Sequence, residues 1–265
     1  MEVCMKLAFI IALLILLAAL SFAAEEKLEP QDSLPPAPAG KAWKLAWHDE
    51  FDGDKLDEKK WEVPEYKRRD AWWSKKAVAL DGQGHLAIKT LKEGDKYYDA
   101  CVRTKGKFEH AFGYYVARMQ LQKQPGHWSA FWLMGSGVKA GNSGREGTEV
   151  DIMEKPWLDD RVQNTLHWGG YGKEHKSEGH VAKVPGVMEG FHTFALLWTP
   201  DEYVFYTDGK ETWRSKAGGV CQAPLWIKLS DEAQMKGWAG ELQKANLPDE
   251  FLVDYVRVYD LVDQK

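Results

Sequence analysis

The sequence predicts an all-β domain, a sandwich or barrel of packed antiparallel strands. Three observations carry this. Helical periodicity is almost absent. Short alternating runs dominate, each rich in β-branched or aromatic residues. Turn residues separate them. The runs include His85–Thr90, Gly113–Leu121, Thr193–Trp198, Tyr203–Thr207 and Phe251–Tyr259. Asp81-Gly82 and Asp208-Gly209 are turn dipeptides, the second in a hairpin setting. Many short strands with regular turns form sandwiches or barrels. One short helix is expected around Glu232–Ala245.

The chain has 265 residues, enough for one large β domain with a sizeable core. Residues 1–23 read as a signal peptide. Lys6 is the positive start, Leu7 to Leu20 is an unbroken apolar run, and Ser21-Phe22-Ala23 is a small-x-small cleavage site. The run is short for a membrane span. Export to the periplasm or the medium follows, with no membrane association after cleavage. Residues 24–42 are rich in proline and alanine and read as a linker or flexible arm. From residue 43 to residue 265 the texture is uniform, without a second boundary or a repeat. The mature chain would keep Cys101 and Cys221. Export permits a disulfide, and two buried thiols are equally compatible with the spacing.

The net charge is only −5, with no block of like charge, which excludes nucleic acid as a partner. The unusual count is 13 Trp. Indole is bulky and its N–H needs a partner, so packing alone seldom demands so many. Flat aromatics bind the apolar C–H faces of sugar rings. Trp72, Trp73, Trp128, Trp132, His167, Trp168 and Trp238 are the candidates. Trp128 and Trp132 are an even number apart and share a strand face. Lys67, Arg68 and Arg69 form a basic cluster beside Trp72-Trp73. It suits a sulfate or carboxylate on a glycan, or a solvated loop.

The segment Thr148-Glu149-Val150-Asp151-Ile152-Met153-Glu154 carries the chemistry. Read as a strand, Glu149 and Asp151 share one face, and Val150 and Ile152 share the other. Strict alternation would send Glu154 to the apolar side. One extra residue, a β-bulge near Ile152-Met153, brings it back to the acids. The outer backbones would then lie about 13 Å apart, four steps of ~3.4 Å. Long side chains leaning inward can close that to the ~5–5.5 Å of a retaining glycosidase. Three such close acids repel, which raises at least one pKa and suits a general acid. A solvated strand face or a structural ion site would show the same spacing.

Other segments carry a resemblance in order along the chain. They are Trp47-His48-Asp49-Glu50-Phe51-Asp52-Gly53, Thr104–Phe108, Gly113–Arg118 and Gly126–Leu133, then Thr165–Trp168, His192–Pro200 and Val253–Tyr259. With the bulged acid motif, the chain resembles glycoside hydrolase family 16, in the branch of laminarinases and agar and carrageenan hydrolases. The resemblance implies a concanavalin A-like jelly-roll sandwich with an open cleft on its concave face. It implies Glu149 as nucleophile, Glu154 as general acid/base and Asp151 as the residue that orients and tunes the nucleophile. It also implies that His167 binds the sugar or an acid. Ser129, where the family often has proline, and Lys155-Pro156-Trp157 after the motif depart from the pattern and leave the substrate open. Glu50 and Asp254 stand where several relatives carry the acids of a structural calcium site. A salt bridge or capped turn accounts for them equally well. No organic cofactor is required.

The expected activity is retaining endo-hydrolysis of a β-linked polysaccharide by a monomer. A laminarin-like β-1,3-glucan comes first and a β-galactan (agar, carrageenan, porphyran or mucin-type) second. A non-catalytic carbohydrate-binding protein is the rival from another class, and transglycosylation a third outcome of the same intermediate.

Overall fold

A computed structural model describes residues 34–264. The expected signal peptide and most of the expected linker lie outside the described residues. The described part is a β-sandwich of two packed sheets, and the expected short helix is absent. Glu232 instead ends the strand Leu225–Ala233, and a single 3-10 turn at Leu242–Lys244 follows. The reason is burial. All nine residues of Leu225–Ala233 are buried in the sheet, and Gly237 and Gly240 then interrupt any helical run.

The strand readings hold with shifted ends. The five runs appear as Leu86–Glu93, Gly113–Gln120, His192–Trp198, Tyr203–Thr207 and Asp249–Asp263. Asp208 and Gly209 both take left-handed dihedrals, with φ of 49° and 70°, as a two-residue hairpin turn requires. The first strand, Lys41–Asp49, begins two residues before the expected domain start and pairs with Asp249–Asp263. Leu34 already packs on the outer face of its sheet, and Trp43 Nε1 donates to the Pro35 carbonyl at 2.7 Å.

The cleft is built on the smaller sheet. Its order is Lys176–Lys183, Arg161–Trp168, Glu149–Glu154, His127–Met134, Leu225–Ala233 and Cys101–Arg103, with Glu109–His110 beside Leu225. The larger sheet packs behind it. Between the two lies one apolar layer that includes Phe131, Val150, Ile152, Met153, Leu196, Phe205 and Val256. Cys101 and Cys221 are both buried and unpaired. Burial raises the Cys101 thiol to about 11, which makes it unreactive. No helix among the described residues is long and apolar enough to cross a membrane.

Phe131 is fully buried directly behind the acids, opposite Met153. Phe131→Ala is expected to cost about 3–5 kcal/mol. Thermal melting should show this as a fall in Tm of about 10 °C.

Candidate active site

The cleft floor follows from strand register. The bulge is present. On the neighbouring strand Phe131 and Trp132 are adjacent, yet they face Met153 and Asp151, so Ile152 is the extra residue. On the other side Asp151 faces Thr165 and Glu154 faces Gln163, three residues against two. Val150, Ile152 and Met153 all enter the core, and Glu149, Asp151 and Glu154 all line the cleft. Across the next pair of strands Trp128 faces Glu232, Ala130 faces Ser230 and Trp132 faces Lys228. The floor is thus a lattice of cross-strand neighbours.

The approach to Glu149 is set by close-packed backbone. A Cβ on Gly147 would sit 2.1 Å from the Gly137 carbonyl carbon, so only glycine fits there. The Thr148 hydroxyl closes the same loop by donating to the Gly144 carbonyl at 2.9 Å.

Asp151 is 4 % exposed. Burial, then repulsion from Glu149 and Glu232, raises its pKa well above the ordinary value. Burial, then Asp151, does the same to Glu154, although Trp128 Nε1 donates to its Oε1 at 3.2 Å and opposes the shift. His167 Nε2 lies 3.2 Å from Asp151 Oδ2. One atom from each of Glu149, Asp151 and His167 falls within 4.8 Å of the others. Acidic groups converge in this way without a metal, and the chemistry below uses none.

The aromatic candidates divide. Trp128, Trp132, Trp238 and His167 line the cleft, and so does Trp73, buried beneath the basic cluster. Trp238 is 40 % exposed and meets Trp128 and Trp157 edge-on, at 5.5 and 5.6 Å. Trp72 and Trp168 do not line the cleft. Each neighbours a residue that does, so alternation turns it away. Trp72 points outward at 42 % exposure, and Trp168 lies against Gly218 in a separate depression.

Several cleft residues were not foreseen. Lys228 is buried, with Nζ 3.4 Å above the Trp132 ring, and burial lowers its pKa. Glu232 is a fourth acid in the cleft and is itself buried. It takes Arg68 at 3.1 Å and also Arg69, so these two arginines of the basic cluster form an ion-paired wall of the cleft. Consecutive arginines reach one carboxylate because Arg69 is left-handed, with φ of 53°. Tyr171 and His175 complete the rim. The alternation of Trp226, Lys228, Ser230 and Glu232 was a legible signal for the floor. Tyr171 and His175, in a glycine-rich loop, had none.

The expected calcium acids are apart from the cleft, and each has an arginine. Glu50 accepts from Arg257 at 2.9 and 2.7 Å, and Asp254 pairs with Arg118. Calcium held by these two side chains would have to displace both guanidiniums, so this pair is a poor fit to a calcium site. A larger hollow of about 970 Å³ lies elsewhere, against the cleft's 730 Å³. Its rim mixes Lys55, Lys59 and Lys75 with Asp54, Asp57 and Glu58 and gathers no catalytic set.

The sequence profile of glycosyl hydrolases family 16 matches residues 65–257. This chain belongs to glycosyl hydrolases family 16. It is 28 % identical over 254 residues to a beta-glucanase of Rhodothermus marinus, covering 83 % of this chain and 86 % of that one. It is 26 % identical over 237 residues to a keratan-sulfate endo-1,4-beta-galactosidase of Sphingobacterium multivorum. That match covers 83 % of this chain, which spans only 56 % of that relative's length. The endo-beta-1,3-glucanase structure of Pyrococcus furiosus superposes with a TM-score of 0.69 at 26 % identity, covering 87 % of this chain and 100 % of that one. Family 16 membership and the jelly-roll sandwich both agree with the sequence reading.

Glu154 ties the site to stability. Its folded pKa lies above the ordinary 4.5. Below about pH 4 both folded and unfolded states are protonated, and the carboxyl costs the fold nothing. As pH rises, the unfolded chain ionises first, so stability falls until the folded pKa is passed. Glu154→Gln removes this cost while keeping the acceptor for Trp128. Thermal melting should place its Tm above the wild type at pH 7, with no difference at pH 4.

Proposed function

We propose that this protein is a retaining endo-β-glycosidase that hydrolyses a laminarin-like β-1,3-glucan. The observation that carries the reading is the bulged strand, which sets Glu149, Asp151 and Glu154 on the floor of an open cleft. Glu149 attacks the anomeric carbon as a carboxylate. Glu154, which burial favours in the protonated form, gives its proton to the departing glycosidic oxygen. A glycosyl ester forms on Glu149. Water then resolves it, with Glu154, now ionised, taking the water's proton. Asp151 stays on the same face between the two. Its raised pKa favours a protonated group that can donate a hydrogen bond rather than add a second negative charge.

Trp238 supplies an exposed apolar face for a sugar ring, while Trp128 and Trp132 are buried in the floor beside the acids. The relatives from Rhodothermus and Pyrococcus are named for glucan hydrolysis, which supports a glucan as the first choice. A β-galactan is the second reading. One feature favours it: Arg68 and Arg69 on the cleft wall suit an acidic substituent. A purely binding role is disfavoured because the full set of acids is retained. A polymer substrate fits export through the expected leader at residues 1–23 and action as a monomer outside the cytoplasm.

The test is a panel of laminarin, mixed-linkage glucan, agarose, carrageenan and mucin O-glycans, read by product chromatography. Cleavage of laminarin with retained anomeric configuration is expected. Glu154→Gln should lower kcat by about 100- to 10,000-fold, and Glu149→Ser should release no reducing sugar. Wild-type release by Glu149→Ser would overturn the mechanism. Failure on every glucan would overturn the substrate. Treatment with a chelator is expected to leave both rate and Tm unchanged.

A further inference from the structure

The hairpin loop between Arg161–Trp168 and Lys176–Lys183 reaches two of the acids by separate routes. In the first, the Tyr171 hydroxyl donates to Glu149 Oε2. In the second, His175 Nε2 meets His167 Nδ1 at 2.9 Å, and His167 Nε2 meets Asp151 Oδ2 at 3.2 Å. Ring stacking ties the routes together. Tyr171 lies over His175 at 5.9 Å and 27°, and His175 over His167 at 5.1 Å and 18°.

The loop has little freedom to place these rings elsewhere. Gly169 and Gly170 are both left-handed, with φ of 75° and 74°. A Cβ on Gly170 would lie 2.8 Å from the Ala140 nitrogen, and Gly141 N–H donates to the Glu174 carboxylate at 2.5 Å. Tyr171 is 58 % exposed, so core packing does not explain its direction. Water would satisfy an exposed phenol. Its hydroxyl end is instead turned into the cleft, against Glu149 and the Met134 sulfur at 3.5 Å. Of the two acceptors the carboxylate is the stronger.

We propose that Tyr171 is a positioning residue for the nucleophile: its hydroxyl holds Glu149 by Oε2 and leaves Oε1 to attack. The inference rests on the reading of Glu149 as nucleophile. A hydrogen bond to one oxygen fixes the rotation of the carboxylate about its terminal bond, which is otherwise broad. Near-attack geometry tolerates little error. In the glycosyl ester, Oε2 becomes the carbonyl oxygen and still accepts from the phenol, so the same contact serves both half-reactions. Desolvation of the hydroxyl end, then the charge of Glu149, raises the phenol's pKa. It therefore keeps its proton and donates throughout the working range.

The experiment compares Tyr171→Phe and Tyr171→Ala on laminarin, or on the panel glycan that the wild type cuts. Tyr171→Phe keeps the ring stack and loses only the hydroxyl. Its kcat is expected to fall about 10- to 100-fold, the worth of a hydrogen bond to a charged group. Its KM should stay within about threefold of wild type, as for an interaction that serves the chemical step. Tyr171→Ala should lose at least as much in kcat. Wild-type kcat in Tyr171→Phe, with KM raised only in Tyr171→Ala, would make the ring a cleft wall and overturn the proposal. Glu149→Ser separates the two failures. If it is inactive while Tyr171→Phe is unimpaired, only the positioning role falls. If it is active, the nucleophile reading falls too.

Discussion

One extra residue in the strand Glu149–Glu154 decides that Glu154 points into the cleft with Glu149 and Asp151. Regular pleating would turn Glu154 inward with Val150 and Ile152, and a lone carboxylate in an apolar core costs several kcal/mol. The bulge sends Ile152 and Met153 inward together instead. Ile152 is inward in either case, so the bulge adds Met153, whose burial is worth about 1.5–3 kcal/mol. Packing behind the floor therefore holds the acids together in front of it against their repulsion. The repulsion is then expressed as protonation: Asp151 and Glu154 both favour the neutral form.

Charge on the rest of the floor is balanced locally. Glu232 is matched by Arg68 and Arg69, and Lys228 lies over the Trp132 ring within reach of the acids' field. His127 repeats the logic one layer down. Burial opposes its charge, but Asp231 at 2.8 Å and Asp249 at 3.1 Å outweigh that and raise it to about 10. This trio fastens the end of the cleft strand to Leu225–Ala233 and to Asp249–Asp263. A rigid floor with fixed charges is what electrostatic catalysis requires. Trp238, Tyr171 and His175 line the cleft from loops above this floor.

Much of this was legible in the chain. Alternation identified the strands because side-chain direction in a strand depends only on residue parity. The acid spacing called for a bulge because parity failed at one position and only an inserted residue could repair it. The same rule placed Trp128 and Trp132 with the acids. It also separates Trp73 from Trp72 and His167 from Trp168, and the four had been grouped by residue type rather than by face. The segment Glu232–Ala245 was misread because its polar and small residues resemble a helix, and burial of Glu232 is visible only once Arg68 and Arg69 are seen beside it.

The sequence by itself determined the fold class and the shared face of Glu149 and Asp151, since these depend on local periodicity, and the break in that periodicity at Glu154 called for the bulge. Only the tertiary structure decided which strands lie beside the acids, that Glu232 and Lys228 share the floor, that Glu50 and Asp254 face arginines, and that Tyr171 reaches Glu149. These are long-range pairings or loop conformations. They rest on sheet register, on left-handed residues such as Arg69 and Gly170, and on close backbone approach at Gly147, none of which a single strand's pattern encodes.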